Sequence, residues 1–395
     1  MSSSNQVRVT VIEETTYGET PAVGNFDTAR ITSESLSGSP ETTESQLIRQ
    51  DRLSSGQVVT GLTLSGDIST ELAKDDLNDL FIESAMYSSW DTSSTPVAAD
   101  LDIEATNKTL DRAAGDFNTD VVVGDLITLA GFTGPTNNTQ VMVAEIVSAT
   151  QIKYIGPSDM VTESSTGNTY ELADKIEIGV TKKSFSIEKA FLDLTDKAIN
   201  YRGMIADNMA LNIAYGEIIG STFSFVGNGY ESVDVAADFM TDGRTINPAA
   251  TTNPMNGSVD MSFLGNGASG TFTDTDFCIQ SVEFGVANNN RPQNCIGRVA
   301  PLDNTEGNAG VEVTISAYLS NENWNMLKKK LDQTPFELGF MVKNANGYYG
   351  FYLPAVQITG DDPASTGINT DVILTLTGVA KVGASGEKSL RMFKG

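Results

Sequence analysis

The sequence predicts a mainly β protein: two similar β-sandwich or barrel halves, each with one helix, and a small all-β domain inserted into the first. Three observations predict it. Most apolar residues alternate with polar ones, the period of a strand with one buried face. Only two segments carry apolar residues at helical spacing. Those two segments hold equivalent places in two stretches that share one order of predicted elements.

Val7, Val9 and Val11 mark the first strand, and another lies near Ile31. A long polar loop, residues 37–56, holds Arg49 and Arg52; then VVTGLTLSGDIS sets Leu62, Leu64 and Ile68 at strand spacing. A helix opens at Asp75, whose carboxylate can cap it, with Leu77, Leu80, Phe81 and Ser84 on one face. Residues 95–174 interrupt this half with short strands and turn-rich pieces such as GFTGPTNNT, the mark of a small inserted domain. The half resumes with SFSIEKAF, MIADNMALNIAYG and GSTFSFVG. Residues 228–276 are rich in Gly, Asn, Thr and Asp and alternate little, so they read as a long, partly ordered loop.

The second half starts with a strand near Val282 and a polar loop, residues 285–310, holding Arg291 and Arg298. VEVTISAYLS leads to a helix with Trp324, Leu327 and Leu331 as its stripe and Ser320 as its cap. Lys328, Lys329 and Lys330 close its last turn, where cations offset the helix dipole. PFELGFMV, GFYLPAVQITG and VILTLTGVA then match the three strands that follow the first helix. The match predicts an internal duplication; chance agreement between β-rich stretches is the alternative. The division expected is 1–94 and 175–227 for the first half, 95–174 for the insertion, 228–276 for the linking loop and 277–395 for the second half.

The 395 residues include 51 acidic and 25 basic ones, a net charge of −26. Such a chain repels nucleic acid, because phosphate contacts need clustered Lys and Arg. It has no histidine, which removes Ser-His-Asp and Cys-His catalysis and His-ligated zinc. Cys278 and Cys295 can pair, but nothing marks a disulfide-stapled secreted domain, so reduced and partly buried thiols are expected. No apolar run approaches the roughly 20 residues of a membrane span. The opening MSSSNQ has neither the basic start nor the apolar stretch of a signal peptide, so nothing is expected to direct the chain out of the cell where it is made.

No motif rises to a reaction. GNGASG, from Gly265 to Gly270, fits G-x-G-x-x-G, but β-prone residues follow where a dinucleotide site needs a helix, so it reads as a flexible loop. Ser186 with Lys189 and Ser385 with Lys388 fit S-x-x-K, yet the first pair lies in a strand that sends i and i+3 to opposite faces. Asp274 with Asp276, and Asp361 with Asp362, lack the remainder of a calcium loop. The expectation is a structural protein with no catalytic residue, cofactor or metal.

VTVIEETTYGETP, ESLSGSPETTESQLIRQDR and GLTLSGDISTEL resemble tail tube proteins of bacteriophages with long, non-contractile tails. The resemblance continues through SFSIEKAF, MALNIAYGEIIGSTFSFVG and FYLPAVQITG, and DRAAGDFNTDVVVGDLITLAGFTGPTNNT is similar to a β-domain often inserted into phage tail proteins. It implies tail-tube-like β-sandwich or barrel halves that assemble into stacked rings, a conduit for double-stranded DNA in transit without specific binding. Two tube folds in one chain favour a trimeric ring with pseudo-sixfold symmetry over a hexamer. The implied partners are further copies of the chain and other tail proteins (tape measure, terminator, distal tail), with no membrane, assembled in the host cytoplasm. Arg49, Arg52, Arg291 and Arg298 are candidates for ring stacking through bidentate pairs with acids, against the alternative of solvated loops. The other readings are a tail terminator, a capsid decoration protein or a β-rich surface adhesin.

Overall fold

Alternation becomes strands at nearly every place the sequence marks. The computed structural model describes residues 3–395 except 52, 93, 269–270, 275–277, 322, 361, 366 and 385. The main elements begin with β1 (Val7–Glu13), β2 (Ser37–Glu44), β3 (Gln57–Glu71) and helix α1 (Asp76–Met86). Asp75 caps α1 through its side chain, which accepts from the Asn78 amide, as its place before the apolar stripe predicts. An insertion follows, which includes the four-residue helix α2 (Phe117–Asp120). After it come β4 (Asp174–Glu177), β5 (Ser184–Phe191), β6 (Ala198–Ala214) and β7 (Gly220–Val226).

The remainder comprises β8 (Met261–Ala268), β9 (Ile279–Ala287), β10 (Gly310–Tyr318), helix α3 (Trp324–Asp332), β11 (Phe336–Asn344), β12 (Gly347–Thr359), β13 (Ile373–Ala380) and β14 (Arg391–Lys394). Two antiparallel runs result. One has the order β1-β5-β6-β7-β3-β2. The other has the order β8-β11-β12-β13-β10-β9. The protein is mainly β, and no sheet closes into a barrel among the described residues.

β6 serves two layers. Residues 198–205 pair with β5, whereas residues 208–214 pair with β9 of the second run. One sheet layer therefore passes without a break from β2 through β3, β7, β6, β9 and β10 to β13. One apolar core lies beneath it. Phe81 of α1 meets Phe185, Phe223 and Phe225 at ring distances of 5.6, 5.2 and 5.3 Å, and Phe284, Phe340 and Phe351 cluster likewise beyond the junction.

The insertion forms its own eight-stranded sheet around Leu101, Phe117, Ile127, Val141 and Tyr170. A second apolar cluster fastens it to the β11-β12-β14 side: Leu126, Met142, Ala144 and Ile155 pack with Met341, Tyr348, Tyr352 and Phe393. Asp125 pairs there with Arg391 at 2.8 Å.

Several expectations need correcting. Residues 228–276 are not a linking loop: Gly229–Val233, Ile246–Asn247, β8 and Thr271–Asp274 are strands. β8 lacks alternation because its ladder with the buried strand β11 supplies what side-chain pattern does not. Gly265 and Gly267 of GNGASG thus lie in a strand. The strand near Ile31 is two short ones, Phe26–Thr28 and Ser33–Glu34. Residues 37–44 of the polar loop are strand β2. In α3 the buried residue is Met326, while Trp324 is 52% and Leu331 83% exposed, because little of the molecule covers this helix. Ser320 does not cap α3; it exchanges hydrogen bonds with Asn323, the capping position. Cys278 and Cys295 are free and exposed rather than partly buried.

Candidate functional site

The layer shared by the two runs sends alternate residues inward: Ile68, Phe223, Met209, Phe284, Val313 and Leu376 are all buried. Its other face is therefore built by the residues between them. Most of those are small or polar, such as Ser69, Thr222, Ala210, Gly285, Thr314 and Thr377, with Asp67, Glu71, Glu283 and Glu312 among them and Val226, Ile373 and Val379 as apolar exceptions. Along 65–71, 208–214, 220–226, 281–287, 310–318 and 373–380 there is no Lys or Arg. Arg30 reaches Glu71 at 3.7 Å, but Asp67, Glu283 and Glu312 are exposed and make no ion pair among the described residues. The arrangement is a sheet face whose strands carry acids and no base, hollowed by a groove along Asn208, Thr222, Glu283 and Thr314. Its signal was present in the sequence as six strand segments without a base, but period alone does not say that six strands share one face.

The loop that bears Arg291 and Arg298 folds against strands β2 and β3 at one side of that layer. The amide of Leu62 in β3 donates to Val299 O at 2.9 Å, and a groove of about 490 Å3 lies between these strands and the loop, lined by Glu41, Thr63, Cys295 and Arg298 among others. Arg49 is already engaged: it makes a bidentate pair with Asp51, at 2.9 and 2.5 Å, and holds that carboxyl below its usual range. Arg291 donates weakly to Glu306 O at 3.5 Å, and Arg298 is exposed. Arg52 lies outside the described residues, as do Ser385, Asp276 and Asp361. The loops also expose Leu47, Ile48, Leu53 and Ile296, which the reading by charge passed over.

Ser186 and Lys189 do not meet. Ser186 donates to the buried Glu14 at 2.7 Å, and Lys189 pairs with Glu34 at 2.5 Å. Buried ionic groups elsewhere brace the scaffold. Asp79 of α1 accepts from Lys74, Lys394 and the Tyr349 hydroxyl at 2.7, 2.9 and 2.7 Å. Burial pushes the Tyr349 phenol well above its ordinary range, so it stays a donor. Burial also raises the Asp125 carboxyl, against the pull of Arg391. No group of three or more potential metal ligands exists among the described residues.

No curated protein matches the chain. A family model described as phage tail tube protein matches residues 4–380, nearly its whole length, and the chain belongs to the phage tail tube protein family.

Proposed function

We propose that three copies of the chain close into a ring of six similar halves, and that stacked rings form the conduit for DNA entering the host. Family membership makes the chain a structural protein of a bacteriophage tail; the ring, its symmetry and the conduit are the reading advanced here. The observation that carries it is the layer that crosses from β6 to β9 and presents Asp67, Glu283 and Glu312 on one face. Continued from copy to copy, that layer leaves no free edge and turns its carboxylates to a common axis.

Duplex DNA carries about one charge per 1.7 Å of axis, and at physiological salt repulsion reaches about 8 Å. A wall without cations and with free carboxylates keeps DNA moving instead of adsorbing it. The units are two tube-like halves, with the insertion on the outer side, since the face opposite the acids is the one it covers. The two loops, with Arg49, Arg52, Arg291 and Arg298, face the neighbouring ring. Because Arg49 is satisfied by Asp51, the exposed Leu47, Ile48 and Leu53 supply much of that contact.

Electron microscopy of purified, self-assembled protein tests the reading. Stacked rings of three copies with a central channel support it. Rings of six copies overturn the symmetry, and a chain that stays monomeric at high concentration overturns the whole.

A further inference from the structure

The junction inside the chain is a template for a junction between chains. Strand registers run in parallel in the two halves: Ser184, Ile205, Val226, Ser65 and Ser37 lie side by side in one, and Phe336, Val356, Ala380, Val311 and Val286 in the other. Met209, four residues beyond Ile205, pairs with Val286. Four residues beyond Val356 is Gly360, and the counterpart of Val286 is Ser37. Yet among the described residues Gly360 belongs to no strand ladder. β12 ends at Thr359; Gly360 lies beside Thr375 and Thr377 of β13, and a groove lined by Gly360, Asp362, Ala364 and Thr375 follows. Among the described residues, 33–37 in turn pair with no strand but β3, while Leu36 O accepts from the Tyr201 hydroxyl and the Leu36 amide donates to Glu34.

The helices repeat the asymmetry. Each ends on a left-handed residue, Tyr87 after α1 and Gln333 after α3. The C-terminal turn of α1 is covered by the second half: Asn288 donates to Ala85 O at 2.9 Å, and Asn290 accepts from the Tyr87 hydroxyl at 2.8 Å. α3 is covered less: Met326 is buried and Lys329 lies over the Phe336 ring, but Leu331 and Trp324 stand exposed.

We propose that α3 and the segment after Thr359 receive residues 33–38 of a second copy, reproducing between chains the β6–β9 junction. The reading rests on ring formation and specifies its seam. Gly360 lies opposite Ser37 of the neighbour and Asp362 opposite its Ser35. Pro363 lacks an amide hydrogen, so the ladder is interrupted there. That gap, with a glycine at 360, keeps the edge from pairing indiscriminately. The neighbour's Glu41 comes toward Lys329 and Lys330, part of the densest basic run in a chain of net charge −26.

Two single-cysteine chains test it, Ser35→Cys and Asp362→Cys, each in a Cys278→Ser, Cys295→Ser background. Facing strand residues lie roughly 4.5–5.5 Å apart between Cα atoms, within disulfide reach. Mixed in equal amounts and oxidised after assembly, they should give a covalent dimer that neither gives alone. Trp324→Ser with Leu331→Ser, both surface positions, should keep the melting temperature and lose rings. Rings without the mixed dimer, or rings that survive the α3 substitutions, overturn the seam and leave ring formation standing. A background chain that forms no rings overturns both.

Discussion

Four donors converge on Glu14, a carboxylate 8% exposed: the amides of Gly18 and Gly203 at 2.8 and 2.9 Å, and the hydroxyls of Ser184 and Ser186, both at 2.7 Å. Glu14→Gln keeps the shape but points a donor at donors. It should cost on the order of 1–3 kcal/mol, seen as a lower denaturation midpoint at unchanged slope. Asp120 in the insertion gives a pH test. Arg112, buried beside it at 2.7 Å, holds its carboxyl below the ordinary range. The unfolded chain then takes up the proton first as pH falls. The pair's contribution is full above the ordinary carboxylate value of about 4 and is lost as pH falls through the lower folded value. Asp120→Asn should lower the melting temperature at neutral pH, and the gap to the unaltered protein should close in strong acid. An equal gap at both would dismiss the pair as the cause. Neither Glu14 nor Asp120 stood out in the sequence, where they are two acids among 51. Their partners lie up to 189 positions away, and no local pattern encodes that.

Helices α1 and α3 differ in what covers them, not in how they are written. Around α1, Phe81 lies amid three other rings, so Phe81→Ala should cost about 3–5 kcal/mol and abolish cooperative unfolding at moderate temperature. Capping and stripe made α1 legible. The same logic failed for α3, because spacing groups Trp324, Leu327 and Leu331 on a face without saying whether anything covers it. Strand β8 escaped notice for the opposite reason: its ladder with β11 overrides a glycine-rich composition. At this scale the acid face is testable too. Asp67→Asn, Glu283→Gln and Glu312→Gln together should leave assembly intact and slow genome ejection, measured as DNA release from purified particles; unchanged release counts against repulsion as its role.

For the whole molecule, the order of strands along the chain could be read in advance from the repeat, whereas their lateral merging could not, since β6 and β9 are strangers in sequence. Nor could the docking of the insertion. Its removal would uncover Met341, Tyr348, Tyr352 and Phe393 and leave Arg391 with Glu177 but without Asp125. Deleting residues 97–172 should therefore give aggregates, and recoding the three aromatics and Met341 as polar residues should restore dispersed protein; dispersed protein without recoding would show the cluster to be incidental. The strand β14 has a consequence in time. It lies between β4 and β12, and its Lys394 reaches Asp79 across 315 positions. These residues leave the ribosome after everything they join, so the ladder that ties β4 to β12 is the last of these pairings to close.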